Sequence, residues 1–186
     1  MTVQITRRPF TVTDYRRMLE AGILSEDDRV ELIDGEVRAM SPIEPFHAAI
    51  VKRLNALLNQ LIADTNIISI QDPIQLSDYT EPEPDIAILR LQEDFYATQH
   101  PTPPDVLLII EVADSSVEYD REEKIPRYAQ AGIPEVWLVD VANETVEQYT
   151  QPRIDQYGAK QTFERGQVIR VQSVPQIEIL VNRMFG

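Results

Sequence analysis

A carboxylate closes a purely apolar run, Leu107-Leu108-Ile109-Ile110-Glu111-Val112-Ala113, and thirteen residues further on stands Lys124, one of only three lysines in the chain. The five apolar residues from Val106 to Ile110 read as a strand buried on both faces. A carboxylate in such surroundings needs a partner or gives up its charge. A second acid, Asp85, opens another apolar run, Pro84-Asp85-Ile86-Ala87-Ile88-Leu89. Two strands that each carry one acid near an end suggest a site, and a metal ion is the partner that suits both. Composition narrows the choice of metal. Without any cysteine there are no thiolate sites, and with only His47 and His100 a histidine-built zinc centre is disfavoured. Oxygen ligands remain, and with them Mg²⁺ or Mn²⁺.

The elements that must position these residues follow from periodicity and turn chemistry. Thr13 is placed to cap a first helix running through Ala21, with Gly22 as its stop. Arg29 to Ile33 and Glu36 to Met40 flank Asp34-Gly35, a pair that favours the primed hairpin turn, and alternation puts Glu31 on the side of Ile33. Apolar residues at spacings of three and four predict a long amphipathic helix from Glu44 to Ala63, with His47 on its apolar stripe as a half-buried core histidine. Strands are expected at Ile67 to Ile70, Ile74 to Leu76, Asp85 to Leu89 and Val106 to Ala113, with an irregular excursion from Arg90 to Asp105. A helix from Asp120 to Ala131 and a strand from Pro134 to Asp140 complete a β-α-β unit whose strands should be parallel neighbours. Thr145 to Gly186 reads as a further hairpin and a short element around Val181 to Phe185.

If the Asp85 and Glu111 strands pair as antiparallel neighbours, their carboxylates meet at one end of the sheet. Period two puts Asp85, Ala87 and Leu89 on one side, and likewise Leu107, Ile109, Glu111 and Ala113. Asp120 is a plausible N-cap with Glu123 three residues on, and Lys124 follows within the first turns, close to where the Glu111 strand ends. Pro126 should kink this helix and could aim Lys124 inward. Tyr119, Tyr128 and Trp137 read as packing residues.

The chain has 186 residues, which fits one domain over 1–186. No apolar stretch reaches the ~18–20 residues of a membrane span and the first residues lack the core of a signal peptide, so a cytoplasmic protein is expected. Seventeen basic against 31 acidic residues give a net charge of -14, which repels nucleic acid at long range. The positives cluster in Arg7-Arg8, Arg16-Arg17, Lys52-Arg53 and Arg121 to Arg127, leaving room for a local basic face, although each cluster alone reads as a solvated surface.

Four segments together resemble a Uma-two-type, restriction-endonuclease-like domain, a branch of the PD-(D/E)XK nuclease superfamily common in cyanobacteria. They are Val30-Glu31-Leu32-Ile33-Asp34-Gly35-Glu36, Glu83-Pro84-Asp85-Ile86-Ala87, Leu108 to Ser116 with Glu111 at its centre, and Tyr119-Asp120-Arg121 through Lys124 to Asp140. The resemblance implies an α/β fold with a mixed sheet flanked by helices, preceded by a helix and a hairpin. It further implies that Asp85, Glu111 and the backbone carbonyl of Val112 bind Mg²⁺ or Mn²⁺, that Lys124 is the catalytic lysine, and that Glu31 is a further acid of the site. The wider superfamily carries its lysine two residues after the strand acid. Ala113 stands there in this chain, so Lys124 would substitute from the helix.

The implied activity is metal-dependent phosphodiester hydrolysis by an endonuclease, with DNA as the expected partner and a homodimer among the open oligomeric states. Each residue alone has a simpler reading: Asp85 as a strand-start acid, Lys124 as a surface residue paired with Asp120, Glu31 as a hairpin charge. Glu111 resists such a reading because its strand is central. The alternative function is a catalytically silent nuclease-fold binding or assembly module, which the net charge of -14 would suit. A glycosidase built on a carboxylate pair is disfavoured by the 7% aromatic content.

Overall fold

A computed structural model describes residues 8–25, 27–62 and 64–186. Arg7 of the first basic cluster and Ala63, the expected end of the long helix, lie outside the described residues. The first helix, α1, spans Val12–Glu20. Its cap is Thr11 rather than Thr13: the Thr11 hydroxyl accepts from the Asp14 N–H at 3.1 Å while Asp14 returns a bond to the Thr11 N–H, a reciprocal box that Thr13 cannot form from inside the helix.

The hairpin follows as β1 (Val30–Ile33) and β2 (Glu36–Ala39). Asp34 and Gly35 both take positive φ, 52° and 76°, as the primed turn demands. Space as well as conformation requires glycine at 35, because a Cβ there would lie 2.4 Å from Cβ of Pro9 and 2.9 Å from the Phe10 carbonyl. Gly35→Ala should therefore cost roughly 1–3 kcal/mol of stability. A urea-denaturation midpoint equal to that of the wild type would refute this close packing of the turn.

The long helix α2 (Pro45–Ile62) is followed by β3 (Asn66–Ile70) and β4 (Ile86–Arg90). The expected strand at Ile74 to Leu76 does not form. Pro73, Pro82 and Pro84 remove ladder donors around it, and the segment instead closes a turn in which Leu76 N–H donates to the Thr80 carbonyl. An irregular stretch with a 3₁₀ turn at Pro103–Asp105 leads into β5 (Val106–Ala113), which is buried along its whole length.

The crossover helix begins earlier than expected. It has three segments: α3 (Val117–Tyr119), a π-helical turn (Asp120–Lys124) and α4 (Ile125–Gln130). Asp120 is thus inside the helix and not its N-cap. The wide turn is explained by Pro126, whose ring would clash with the carbonyl four residues back and which has no N–H to offer it. The chain responds by letting the Ile125 N–H donate to the Asp120 carbonyl, five residues back.

The remaining elements are β6 (Glu135–Asp140), the hairpin β7 (Thr145–Pro152) and β8 (Tyr157–Phe163), then β9 (Val168–Arg170), β10 (Glu178–Leu180) and α5 (Asn182–Phe185). Among the described residues six strands form one mixed sheet in the order β3-β4-β5-β6-β7-β8. The pair β5-β6 is parallel and the other neighbours are antiparallel. The helix α2 covers one face through Ile50, Leu54 and Leu58 against Ile86, Ile88, Leu108 and Ile110. On the other face Ile125 and Tyr128 pack against Ala87, Ile109, Ala113 and Leu138. A smaller core joins α1 to the hairpin through Val12, Tyr15 and Leu32.

One face assignment changes. Leu107 packs with Leu108 against α2 and not with Ile109, because the β4-β5 register slips between Ile88 and Leu89 and pairs Leu89 with Val106. Beyond the slip the alternation resumes, with Ile109 and Ala113 on the face opposite α2. No helix among the described residues is long and apolar enough to cross a membrane.

Candidate active site

Pairing between β4 and β5 ends at Ile86 with Ile110, whereas β5 continues to Ala113. The edge of β5 beyond that pair is therefore open to side chains. Val112 uses it by donating its N–H to Oδ2 of Asp85 at 2.9 Å. The carbonyl of the next residue, Ala113, points the other way and accepts from the Val141 N–H at 2.9 Å. Since the N–H and C=O of one strand residue leave on the same edge, the Val112 carbonyl also points to the open side, toward Asp85.

Asp85 directly precedes β4 and is held by donors from three elements. Besides the Val112 N–H, it accepts from Nε2 of Gln71 at 3.2 Å, and Nε2 of His47 lies 3.0 Å from its carboxylate. His47 reaches it from the first turn of α2. The ring is half-buried, as its place on the apolar stripe implies, but its polar edge serves the carboxylate. Gln71 follows β3 in the left-handed region, φ 55°, a conformation that costs a non-glycine residue about 1–2 kcal/mol.

Glu111 lies on the face covered by α4 and is 3% exposed. Its Oε1 accepts from the Tyr128 hydroxyl at 2.5 Å and from Nζ of Lys124 at 3.2 Å, and among the described residues no donor meets Oε2. Burial pushes the Glu111 carboxyl up to about 8, against the downward pull of the Lys124 ammonium. Lys124, 6% exposed, is not a surface residue paired with Asp120. Its ammonium sits between Glu111 and Oε2 of Glu31, the latter at 3.1 Å. Burial opposes its charge, but Glu111, Glu31 and Asp120 outweigh that penalty and hold its pKa above the ordinary lysine value.

Glu31 is not a surface hairpin charge either, being 2% exposed. It also accepts from the Glu83 N–H at 3.3 Å and the Tyr119 hydroxyl at 3.4 Å. Asp120 adds to the acidic lining. Burial raises its pKa, opposed by Lys124 and by the Ser116 hydroxyl that donates to it at 2.7 Å. All five positions singled out from sequence, Glu31, Asp85, Glu111, Val112 and Lys124, line one cavity of about 360 Å³.

His47, Gln71, Asp120 and Tyr128 complete the neighbourhood of these groups, and the sequence pattern does not mark them as site residues. Tyr128 carries a usable signal, since it follows Lys124 by one helical turn and so shares its face. Gln71 carries none, because nothing in its type announces a left-handed residue.

The family model Uma2, described as "Putative restriction endonuclease", matches residues 12–182. The chain belongs to the Uma2 family. All the cavity residues named above lie within the Uma2 match. A solved structure described as "a putative nuclease belonging to DUF820 from Anabaena variabilis ATCC 29413" superimposes with a TM-score of 0.77 at 17% identity, covering 95% of this chain and 98% of that one. At that identity the likeness is one of fold, and the mixed sheet flanked by helices is the architecture of this Uma2 chain and of that protein alike. Comparison with curated proteins gives no match.

Proposed function

We propose that the protein is a metal-dependent endonuclease hydrolysing phosphodiester bonds in DNA, with Asp85, Glu111 and the Val112 carbonyl holding Mg²⁺ or Mn²⁺. The observation that carries the reading is that two carboxylates, a strand carbonyl and an ammonium line one cavity beside the end of β5. Membership of the Uma2 family supports the same chemistry.

The donor set fits such an ion. Asp85, Oε2 of Glu111 and the Val112 carbonyl are all hard oxygen donors. No group of three or more acidic or histidine side chains among the described residues is gathered into a ready-made cage. Mg²⁺ does not need one, because it keeps several waters and is usually held through one or two carboxylates. When bound, the ion lowers the pKa of a coordinated water and neutralises charge developing on the phosphate.

The chain's own groups do the rest. His47, Gln71 and the Val112 N–H fix the orientation of Asp85, and the Tyr128 hydroxyl fixes Glu111 through Oε1. Lys124 keeps its proton and presents a positive charge beside the carboxylates, placed to orient the attacking water or to stabilise the phosphate as it becomes more negative. Glu31 holds that ammonium from the hairpin side. Ala113, where the wider superfamily carries its lysine, is fully buried under Ile125 and Tyr128. An ammonium delivered from the π-turn meets the same requirement from the other direction.

The test is incubation of the wild type and Glu111→Ala, purified identically, with DNA and RNA in Mg²⁺ or Mn²⁺. Cleavage by the wild type alone is expected. Equal cleavage by both proteins would mean a contaminant, and none by either would leave the silent-module reading in its place.

A further inference from the structure

Among the described arginines and lysines, most of those that are buried or half-buried are already paired. Arg16 pairs with Glu81, Arg38 with Glu123, Arg121 with Glu147, Lys124 with Glu31 and Glu111, and Arg127 with Asp34. Of the clusters that could have formed a basic face, the one from Arg121 to Arg127 is thus neutralised within the molecule, as is Arg16 of another.

Arg29 is different. It is half-buried just before β1, and its backbone carbonyl is fixed by the Met40 N–H at 2.8 Å, which anchors it at the base of the hairpin. Yet among the described arginines and lysines that are buried or half-buried, it alone makes no hydrogen bond or ion pair through its side chain. Its Nε is sealed from solvent with no acceptor in reach. Glu83 is near enough to feel its charge but makes no ion pair with it.

An Nε withdrawn from water without an acceptor is costly, and a guanidinium edge matches the paired oxygens of a phosphate. Its position is specific as well. Arg29 lines the cavity that holds Asp85, Glu111 and Lys124, and it also lines an adjoining cavity of about 350 Å³ that continues past Tyr15, Leu19 and Ser25. Gln71, Glu83 and Met40 are common to both cavities, so the two are neighbours with Arg29 at their boundary.

We propose that Arg29 binds a backbone phosphate next to the one cleaved, and that the DNA strand runs from the Asp85–Glu111 cavity over Arg29 into the adjoining one. The inference rests on the nuclease reading and adds to it a path for the strand. It also reconciles a net charge of -14 with a phosphate-bearing substrate. Affinity would come from one withheld cation and the bound metal, with no broad basic surface required.

The test is fluorescence anisotropy of labelled single-stranded and duplex DNA oligonucleotides in Ca²⁺, an ion chosen to permit binding without turnover, across a salt series. Arg29→Gln should weaken binding about tenfold or more, the loss of one charge-assisted contact. The slope of log affinity against log salt should shrink by about one. Arg29→Lys, which keeps the charge without the fork, should lie between. Arg17→Gln, at an exposed position, should leave both quantities unchanged. Under turnover in Mg²⁺, Arg29→Gln should raise KM more than it lowers kcat.

A scan of single methylphosphonates along the strand locates the contact. One neutralised phosphate should weaken the wild type as much as Arg29→Gln does, and should weaken Arg29→Gln no further. Thermal melting confirms that each variant is folded. If the wild type binds DNA and Arg29→Gln binds it equally well with the same salt slope, the inference is overturned while the nuclease reading stands. Failure of the wild type to bind or cleave any oligonucleotide overturns both.

Discussion

Lys124→Met is expected to lower cleavage by about 10²–10³-fold, the size of effect seen when one donor to a transition-state oxyanion is removed. It should also destabilise the metal-free protein. The ammonium is 6% exposed and lies within 3.1–3.2 Å of Glu31 and Glu111, so methionine fills its volume but leaves two buried carboxylates without their counter-charge. Removing one partner of a buried pair costs roughly 3–5 kcal/mol. The lower end applies here, because Glu111, already pushed up to about 8, can take a proton where a locked ion could not. The two losses should respond differently to metal. Millimolar Mn²⁺ should return part of the stability in urea denaturation, since a divalent ion supplies some of the missing positive charge, but it should not return the cleavage. A Lys124→Met protein as stable as the wild type and as active would remove Lys124 from the site altogether.

The same geometry explains why the hairpin belongs to the site. Glu31 comes from β1, and the hairpin is tied to the rest of the molecule both along β1 and at its turn. Leu32 exchanges backbone hydrogen bonds with Glu81, at 3.3 and 2.7 Å. At the turn, Asp34 accepts from Arg127 of α4 at 2.6 Å, while Arg38 of β2 pairs with Glu123 of the π-turn at 2.6 Å. The helix that carries Lys124 and the hairpin that carries Glu31 are thereby fastened on both sides of the buried lysine. These exposed and half-exposed pairs contribute little stability individually, and their effect is to fix the relative position of two elements that share one ammonium.

Residue type and period make most of this legible in the sequence. An acid inside an unbroken apolar run, as at Glu111, is too costly to be incidental, and the β-α-β spacing places Lys124 near the strand end without reference to any contact. What stays hidden depends on backbone features that residue types do not encode. The register slip at Ile88/Leu89 moves Leu107 to the α2 face, and no alternation rule anticipates a bulge. The π-turn is foreseeable only as a disturbance at Pro126, and its form puts Asp120 inside the helix. For His47, a place on an apolar stripe reveals burial but not the direction of the polar edge. Thr11 and Thr13 are both good caps, and only Asp14, three residues after Thr11, distinguishes them.

Asp85→Asn should abolish the response to metal, and this is the sharpest test of the proposed ligand set. For the wild type, an ion bound only to the folded state stabilises it by about 2.7 kcal/mol at a hundred times its Kd. For a chain of this size that corresponds to a rise in Tm of roughly 5–10 °C. The substitution removes a ligand, and it does so in a pocket built for an acceptor. The Val112 N–H, the Gln71 amide and the His47 ring all lie at 2.9–3.2 Å from the carboxylate. Asparagine offers one oxygen where the carboxylate offers two, so its amide meets the Gln71 or His47 nitrogen with a donor of its own, and one of those side chains has to flip or change tautomer to accept. The metal-free variant should therefore also lose roughly 1–3 kcal/mol. His47→Ala separates the two effects. It withdraws a group that orients Asp85 but leaves the carboxylate in place, so the metal response should persist with affinity reduced about 10–100-fold. Calorimetry with Mn²⁺ on the three proteins distinguishes the cases. Equal binding by the wild type and Asp85→Asn would exclude Asp85 as a ligand, and no binding to the wild type at millimolar Mn²⁺ would remove the metal from the mechanism.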